Sequence, residues 1–301
     1  SLKGSVVTPA MMLELSRAVQ RVLIRPEVSG VVVTQPADNI EETAYFVSIS
    51  LSDVFQNQNS KPIVFTTCMN PEDPMFDGTK NLLDSIRVAC HDVKGDISTV
   101  VVCMNGEIHA ASRAQLTHTN KASALASPGW GPVGYVDRDN VYFRCGALEL
   151  DTGLNFPMLK KLTAKVPVVK AMCGDDGALL EMFLEKEPDA IIVEGFGRGN
   201  LPAGMMPAIK KAVKKGIFVV ISTRASSGRV LDSTVFPGSV AQCLECGCLL
   251  AGETTTSKAR LLLMYVLSQK EAIQLKKEDP ERFFAYVQEC LDPVLTNRLF
   301  G

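Results

Sequence analysis

The sequence has no long apolar run and no strong excess of charge of either sign. No stretch approaches the roughly 18 consecutive apolar residues that a membrane span needs, and nothing at the start resembles a signal peptide. The formal net charge is −2 over 301 residues, so nothing in it favours nucleic acid or an anionic membrane as a partner. Internal repeats and low-complexity segments are also missing. With 46% hydrophobic and 21% charged residues, the composition is that of a soluble globular protein.

The cysteines do not form a disulfide framework. There are nine, an odd number, scattered along a chain far longer than a disulfide-rich miniprotein. Most are therefore predicted to be reduced and buried, which indicates a cytoplasmic protein. Three lie in CLECGC at residues 243–248 and suggest metal ligands, but no second pair lies at zinc spacing. A buried strand at the following two leucines is the preferred interpretation, and neither metal nor cofactor is expected.

Strand-like and helical segments alternate along the chain. Pro9–Leu23 is predicted to be an amphipathic helix with Thr8 as its N-cap. Further strands are predicted at 31–34, 61–67, 99–104, 167–171, 190–193 and 218–222, and further helices at 40–51, 81–89, 177–185, 207–214, 257–268 and 271–291. This alternation predicts parallel βαβ units. The fold class is therefore α/β with two domains, residues 1–150 and 166–301, joined by a linker at 151–165 that holds at most one short helix.

Two turns are predicted in the first domain. Asn105-Gly106 is a turn signal that ends the strand at 99–104. Residues 135–144 have the pattern of a β-hairpin that reverses at about Asp139-Asn140.

The stretch VVVTQPADNIEETAYF, residues 31–46, is the strongest candidate for a functional site. Its β-branched residues favour a central, buried strand, and Pro36 ends that strand. Asp38 or Asn39 can cap the helix that follows. A strand–loop–helix corner at the carboxyl end of a parallel strand is where open α/β sheets bind ligands. Most such corners carry no chemistry, so a purely capping role for Asp38 remains the alternative.

Other chemically suggestive residues have plainer interpretations. The glycine-rich EGFGRGN at 194–200 lacks the spacing of the dinucleotide fingerprint, so a turn or a close subunit contact is favoured. His109 and His118 have no paired acid or nucleophile in view, so structural histidines are expected. Met11 and Met12 are expected to fill a core or an interface.

Several motifs resemble those of the bacterial-type L-asparaginases. GVVVTQPADNIEETAYF at 30–46 is similar to the family signature GVVVTHGTDTxEETAYF, and KPIVFTTCMNP at 61–71 is similar to KPVVFTGAMRP. Further similar motifs follow in the same order: DGTKNLLDSIRVA, MNGEIHAA, THTNKASALASPGWGPVGYV, GDDGALL, EGFGRGNLP, STRASSGRV and SKARLLLM. The likeness covers nearly the whole chain except about the last tenth.

This resemblance implies an asparaginase-like fold, with a larger N-terminal domain on a mostly parallel sheet and a smaller flavodoxin-like C-terminal domain. It implies a homodimer or homotetramer in which the neighbouring subunit closes each site. The implied reaction is hydrolysis of the side-chain amide of asparagine, sometimes glutamine, without metal or cofactor. In the family one threonine attacks the amide carbonyl, and a second threonine, a lysine and an aspartate move protons.

At the catalytic positions of this family, the sequence lacks most of the reactive groups. The second threonine falls on Ala37 and the lysine falls on Leu116, neither of which can attack a carbonyl or accept a proton. The motif aspartate is retained as Asp38, which in the family holds the α-amino group of the substrate. The attacking threonine belongs to a TGGTI segment well upstream of Thr8. The sequence is therefore interpreted as a fragment of a longer chain, with a true start here as the alternative.

The family's substrate-binding positions are also altered. The segment that contacts the substrate carboxylate falls on Gly4 and Ser5, and the GAM corner of the family includes Cys68 here. The resemblance thus makes Gly4, Ser5, Asp38 and Cys68 the candidate binding residues for a small amino-acid-like ligand. Residues 37 and 116 are expected to meet in one pocket.

Three hypotheses follow. The first is an asparaginase-family amidohydrolase with weak or no activity. The second is a non-catalytic homologue that binds a small ligand or serves as a structural subunit. The third is altered chemistry through Cys68 or Cys103, for which inert buried cysteine is the preferred alternative.

Overall fold

The chain folds as two units, each with its own β-sheet. The computed structural model describes residues 4–57, 61–69, 77–91, 100–144, 155–231 and 233–292. The first unit is Ser1–Lys160 and the second is Lys161–Gly301. Within the described ranges, no helix combines the length and the apolar composition that crossing a bilayer requires.

The first unit contains a mixed sheet with helices on both faces. Its helices are α1 (Pro9–Leu23), α2 (Ile40–Ser50), α3 (Ser52–Asn57) and α4 (Gly78–Ala89). Its strands are β1 (Val31–Thr34), β2 (Ile63–Thr66), β3 (Val100–Met104), β4 (Glu107–Ala110), β5 (Gln115–Leu116), β6 (Leu125–Ala126), β7 (Gly134–Asp137) and β8 (Asn140–Phe143). Six of them form the sheet β1-β2-β3-β4-β7-β8, parallel from β1 to β3 and antiparallel from β3 onward. The pair β5 and β6 forms a separate ladder.

Alternate side chains of the strands enter two cores on opposite faces of this sheet. Ile63 and Phe65 of β2 are fully buried in the core that contains side chains of α1 and α2. Val64, between them, packs in the other core with Val88 of α4. The sheet is therefore covered on both faces where its strands run parallel, as parallel strands generally are.

Helix α1 has the predicted boundaries, and its cap explains them. The hydroxyl of Thr8 accepts a hydrogen bond from the N–H of Met11 at 3.3 Å, and Pro9 occupies the first helical position. Met12, Val19 and Leu23 are buried, which confirms the predicted apolar face.

Among the described residues, strand β1 lies at the edge of the sheet and is half-buried, unlike the central, buried strand that was predicted. In the described part of the chain it pairs only with β2. The N–H groups of Val31 and Gln35 donate to the carbonyls of Pro62 and Thr66, at either end of this pairing. Its first three residues are half-buried and Thr34 is exposed, because only one long side of the strand is covered. The β-branched composition predicted the strand but not its place in the sheet.

The antiparallel half contains both predicted turns, one of them shifted. Asn105 and Gly106 both have left-handed backbones, with φ of 53° and 78°, and they connect β3 to β4 as a hairpin. The β7–β8 hairpin reverses at Arg138-Asp139, one residue before the predicted position, and Arg138 has a φ of 52°. Strand β4 itself was not predicted.

The second unit is a four-stranded parallel sheet with helices. Its strands are β9 (Val168–Lys170), β10 (Ala190–Gly195), β11 (Phe218–Thr223) and β12 (Leu249–Leu250), in the order β12-β11-β10-β9. Its helices are α5 (Ala178–Leu184), α6 (Met206–Lys214), α7 (Val240–Glu245), α8 (Thr256–Val266), α9 (Lys270–Glu278) and α10 (Pro280–Leu291). The leucines after CLECGC form β12, as expected, but Cys243 lies on α7, a helix that was not predicted.

The segment 155–160 packs on the first unit. Phe156 is 1% exposed, and its N–H donates to the hydroxyl of Ser52 at 2.9 Å. Residues 155–165 contain neither helix nor strand, while 149–154 lie outside the described residues.

Candidate active site

The corner after β1 is shaped by a short 3₁₀ turn. The strand ends at Thr34, Ala37–Asn39 form the turn, and α2 begins at Ile40. Asn39 occupies the N-cap position, but its side chain does not cap the helix, and neither does that of Asp38, so this prediction is wrong. The amide nitrogen of Asn39 instead donates to the carbonyl of Gly4 at 3.0 Å. The turn is thereby attached to the chain segment before α1.

The neutral polar side chains of this corner bond to one another. Nε2 of Gln35 lies 3.4 Å from Oδ1 of Asn39 and 3.2 Å from Oγ1 of Thr43. The hydroxyl of Thr43 donates to the carbonyl of Asn39 at 3.1 Å. These contacts connect the end of β1 to the first turns of α2.

A cavity of about 1100 Å³ lies at the carboxyl ends of β1 and β2. Helix α1 contributes Met11 and Met12 to its wall, the corner contributes residues 35–38, and the segment after β2 contributes Cys68. Asp38 is the only charged residue among the described residues that line it. A cavity in this position is the usual ligand site of an open α/β sheet.

The cavity brings together some of the predicted site residues and not others. Ala37, Asp38 and Cys68 line it, whereas Gly4, Ser5 and Leu116 do not. The N–H of Leu116 donates to the carboxylate of Glu41 in the first turn of α2. Thr119, three residues further on, is part of the cavity wall. The segments around residues 37 and 116 therefore meet beside the cavity, with Leu116 in contact through its main chain.

Gly4 packs directly against Asp38. A Cβ atom at position 4 would lie 2.6 Å from Oδ2 and 2.8 Å from Cβ of Asp38, too close for any side chain without a shift. Gly4 is buried and Ser5 is exposed. The segment that in the family contacts a substrate carboxylate here presents a glycine that covers one side of the aspartate.

Neither cysteine considered for altered chemistry is in an activating environment. Burial raises the pKa of the Cys68 thiol, and the negative charge of Asp77 adds to this effect. Burial raises the pKa of Cys103 to about 12. Because the thiolate is the nucleophile, both groups are disfavoured as nucleophiles at neutral pH.

His109 has partners that the sequence analysis did not find. Its Nδ1 lies 2.9 Å from the hydroxyl of Ser127, and its Nε2 lies 3.3 Å from Oε2 of Glu107, close enough for attraction although the angle is poor for a hydrogen bond. Burial lowers the pKa of His109. The histidine and the serine are both buried and do not line the cavity, so a structural role is favoured. Glu107 could have been found, since residues two apart share one face of a strand.

The remaining candidates are structural. The N–H of Phe196 donates to the carbonyl of Asn200 at 2.8 Å and closes the predicted turn at 194–200. Gly199 has a φ of 107°, and a Cβ there would lie 2.6 Å from Val230, so only glycine fits. Nδ1 of His118 accepts from the N–H groups of Asn120 and Lys121. Among the described residues, no group of three or more potential ligands is placed to hold a metal ion.

Both units match known domain families. The family described as "Asparaginase, N-terminal" matches residues 1–147, and "Glutaminase/Asparaginase C-terminal domain" matches residues 165–278. L-asparaginase from Bacillus licheniformis is 30% identical over 273 residues, which is 90% of this chain and 81% of that protein. A probable L-asparaginase from Deinococcus radiodurans is 30% identical over 293 residues, covering 94% of this chain and 83% of that protein.

A solved structure extends this similarity to three dimensions. The crystal structure of a probable cytoplasmic L-asparaginase from Campylobacter jejuni matches with a TM-score of 0.80 and 26% identity, over 95% of this chain and 86% of that one. Fold and cavity together define a two-domain α/β protein with a cavity at the carboxyl ends of parallel strands. The chain belongs to the asparaginase family of amidohydrolases.

Proposed function

We propose that this family member binds a small amino-acid-like ligand in the cavity through Asp38 and hydrolyses L-asparagine weakly or not at all. The observation that carries the proposal is the chemistry of the cavity wall. Ala37 stands at the position of the family's second threonine, and the described lining residues include no lysine. Amide hydrolysis by the family route needs a hydroxyl nucleophile and a base within hydrogen-bond reach. Leu116, at the position of the catalytic lysine, supplies neither.

Ammonia release tests the catalytic part of this proposal. Purified protein with L-asparagine or L-glutamine is expected to release ammonia no faster than a heat-inactivated sample. An ordinary asparaginase rate that disappears in Asp38→Asn would overturn the proposal and show an active asparaginase-family amidohydrolase.

Ala37→Thr combined with Leu116→Lys, in a chain to which the family's upstream segment with the attacking threonine is supplied, tests whether these two positions limit activity. The matched control is Ala37→Val with Leu116→Met, which has similar shape without the hydroxyl and the amine. Rate above background in the first pair but not in the second supports the proposal. Equal rates in both pairs contradict the assignment of these two positions.

Calorimetric titration with L-aspartate and L-asparagine tests the binding part. Asp38→Asn is expected to weaken binding by about tenfold, because an ammonium–carboxylate contact is charge-assisted. Absence of binding in the unsubstituted protein would favour a structural subunit instead.

The proposal includes a homodimer or homotetramer and a cytoplasmic location. The family likeness and the description of the Campylobacter jejuni relative support them. Light scattering coupled to gel filtration measures the assembly, and a monomer at micromolar concentration would contradict it.

A further inference from the structure

The three cysteines of CLECGC surround the carboxyl end of α7 in the second unit. Cys243 lies on α7, Cys246 occupies its C-cap, and Cys248 immediately precedes β12. Between them Gly247 has a left-handed backbone with a φ of 89°. Its N–H donates to the carbonyl of Leu244 at 2.9 Å, and that of Cys248 donates to the carbonyl of Cys243 at 3.0 Å. This pair of hydrogen bonds is the Schellman motif, whose outer residues commonly pack against each other.

The outer hydrogen bond keeps the main chains of Cys243 and Cys248 close enough for a disulfide. With standard bond lengths, the N···O distance of 3.0 Å limits the separation of their Cα atoms to at most about 6.9 Å. Disulfides join residues whose Cα atoms are roughly 4.4–6.8 Å apart. The two thiols are also hydrogen-bond partners, so their sulfur atoms face each other. A bond between them requires little movement of the backbone.

The two thiols differ in acidity. A hydrogen bond with the Cys248 thiol lowers the pKa of Cys243, although burial acts in the opposite direction. The same contact raises the pKa of Cys248, and burial adds to this effect. Because the thiolate is the nucleophile in thiol chemistry, Cys243 is the sulfur that attacks and Cys248 the one that resolves the product.

Both sulfur atoms lie just below the surface of the second unit. Cys243 and Cys248 are 0% and 2% exposed, whereas Cys246 between them is half-buried and Glu245 is exposed. On the inner side, Sγ of Cys243 lies 3.9 Å from Sδ of Met206. Helix α7 has only six residues, so local opening of one short element admits a molecule the size of hydrogen peroxide.

We propose that Cys243 and Cys248 form a modification site, at which hydrogen peroxide produces a reversible disulfide across the end of α7. The Cys243 thiolate attacks one peroxide oxygen, the O–O bond breaks, and a sulfenic acid and a water molecule result. The Cys248 sulfur then attacks that of Cys243, the S–O bond breaks, and a second water leaves. Two thiols and one hydrogen peroxide thus give one disulfide and two waters, so sulfur is oxidised and peroxide oxygen is reduced.

Peptide mapping of the folded protein after exposure to hydrogen peroxide tests this link. Free thiols are blocked with iodoacetamide in denaturant, and the chain is then digested without reductant by trypsin and a glutamate-specific protease, which cuts after Glu245. We expect peptides 230–245 and 246–253 to be joined, with the blocking group on Cys246, and to separate in dithiothreitol. Three separately blocked cysteines, or a link from Cys243 to Cys246, overturns the proposal.

Alanine substitutions distinguish the roles of the three cysteines. Cys246→Ala should form the link at an unchanged rate. Cys248→Ala should leave Cys243 as a sulfenic acid that dimedone traps, whereas Cys243→Ala should give neither link nor dimedone adduct at Cys248. Loss of the link in Cys246→Ala, or equal dimedone labelling of Cys248 in Cys243→Ala, contradicts these assignments. Thermal unfolding shows that each variant is folded, and the mapping of the unsubstituted protein decides without them.

Two other buried cysteines serve as internal controls for selectivity. Burial raises the pKa of Cys103 and of Cys290 to about 12. Their oxidation by hydrogen peroxide in the folded protein should be at least about tenfold slower than that of Cys243, because so little thiolate is present. Equal rates for all of the buried cysteines would show general unfolding or overoxidation and would overturn the assignment of a specific site.

This inference is independent of the proposed function. It concerns a pair of thiols in the second unit that do not line the cavity. Ammonia release from L-asparagine contradicts the proposed function and leaves the disulfide in place. Failure to form the disulfide overturns this inference alone.

Discussion

The two sheets carry opposite arrangements of polar groups at the carboxyl ends of their parallel strands. In the second unit, Nζ of Lys170 lies 3.0 Å from Oε1 of Glu194, and the hydroxyl of Thr256 donates to Oε2 of Glu194 at 2.7 Å. Ser222, fully buried, lies 3.0 Å from the Thr256 hydroxyl and donates to it. This chain of contacts connects β9, β10 and β11 to the first turn of α8. The corresponding end of the first sheet is a cavity.

The difference shows that polar residues at strand ends do not by themselves mark a ligand site. In the second unit they bond to one another and hold the sheet to a helix. In the first unit the wall is mostly apolar and its charged group, Asp38, has no protein partner in the described residues. We infer that the ligand site is recognised by the space at the strand ends and by the group left without a partner.

Substitution by a larger side chain should give the largest difference in stability between the carboxyl ends of the two sheets. Ser222→Val adds volume in a filled, fully buried place and removes a hydrogen bond, so it should lower the free energy of unfolding by about 2–3 kcal/mol. Ala37→Val, at the cavity, should lower it by about 0.5 kcal/mol or less. Urea unfolding followed by circular dichroism measures both. Equal losses would mean that the first strand end is as tightly packed as the second.

The cluster of His109, Ser127 and Glu107 is a filled polar site within the first unit, away from the cavity. Because burial lowers the pKa of His109, the folded state keeps the ring neutral while the unfolded state takes up a proton below about pH 6.5. The contribution of His109 to the free energy of unfolding should therefore be fully present above that pH. It should decrease as the pH falls, by at most about 1.4 kcal/mol per pH unit. His109→Gln should remove this part of the dependence.

The control is Ser5→Ala, a substitution of an exposed, uncharged residue, which should keep the slope. Unfolding measured between pH 7.5 and 5 makes the comparison. An unchanged slope in His109→Gln would show that the buried ring is not the group responsible.

Gly4→Ala tests the close contact beside the cavity. The added Cβ must displace Asp38, so we expect a loss of about 1 kcal/mol in the free energy of unfolding and a change in ligand affinity. Ser5→Ala, an exposed neighbour, should have no measurable effect. Unaltered stability and affinity in Gly4→Ala would mean that the turn moves freely away from the segment before α1.

Thiol labelling gives the smallest effect, a difference in rate without a difference in stability. With iodoacetamide at pH 8, the exposed Cys90 and Cys173 should react first, Cys68 more slowly and Cys103 only after unfolding. Because the pKa of Cys68 is raised, its labelling rate should still increase at pH values above the ordinary pKa of a thiol. Mass spectrometry of tryptic peptides assigns each site. Rapid labelling of Cys68 at neutral pH would revive a thiol mechanism.

Local patterns predicted the elements that are determined locally. The N-cap at Thr8 and the apolar spacing of α1 are complete within sixteen residues, and they gave the correct bounds. The left-handed turn at Asn105-Gly106 follows from the residue types alone. By contrast, the edge position of β1 depends on which strands pair with it, and the β-branched run contains no information about that.

The candidate site was predictable in position but not in its contacts. The strand–proline–helix pattern placed a ligand corner at residues 35–39, where the cavity lies. The side chain of Asp38 or Asn39 was expected to cap α2, but that of Asn39 reaches Gly4, a residue thirty-five positions away. The Ser127 partner of His109 is likewise distant in sequence. Such contacts depend on the tertiary fold and have no local signal.

The packing of Phe156 has a practical consequence for dividing the chain. A fragment that stops at residue 147, where the N-terminal family match ends, would leave out a nearly inaccessible phenylalanine and the main-chain donor to Ser52. Removal of the Phe156 side chain leaves a cavity in the first unit. The free energy of unfolding should fall by about 3–5 kcal/mol, as for buried phenylalanine-to-alanine substitutions. A shortened gene or an engineered protease site should therefore end the first unit after Lys160, so that this unit keeps Phe156.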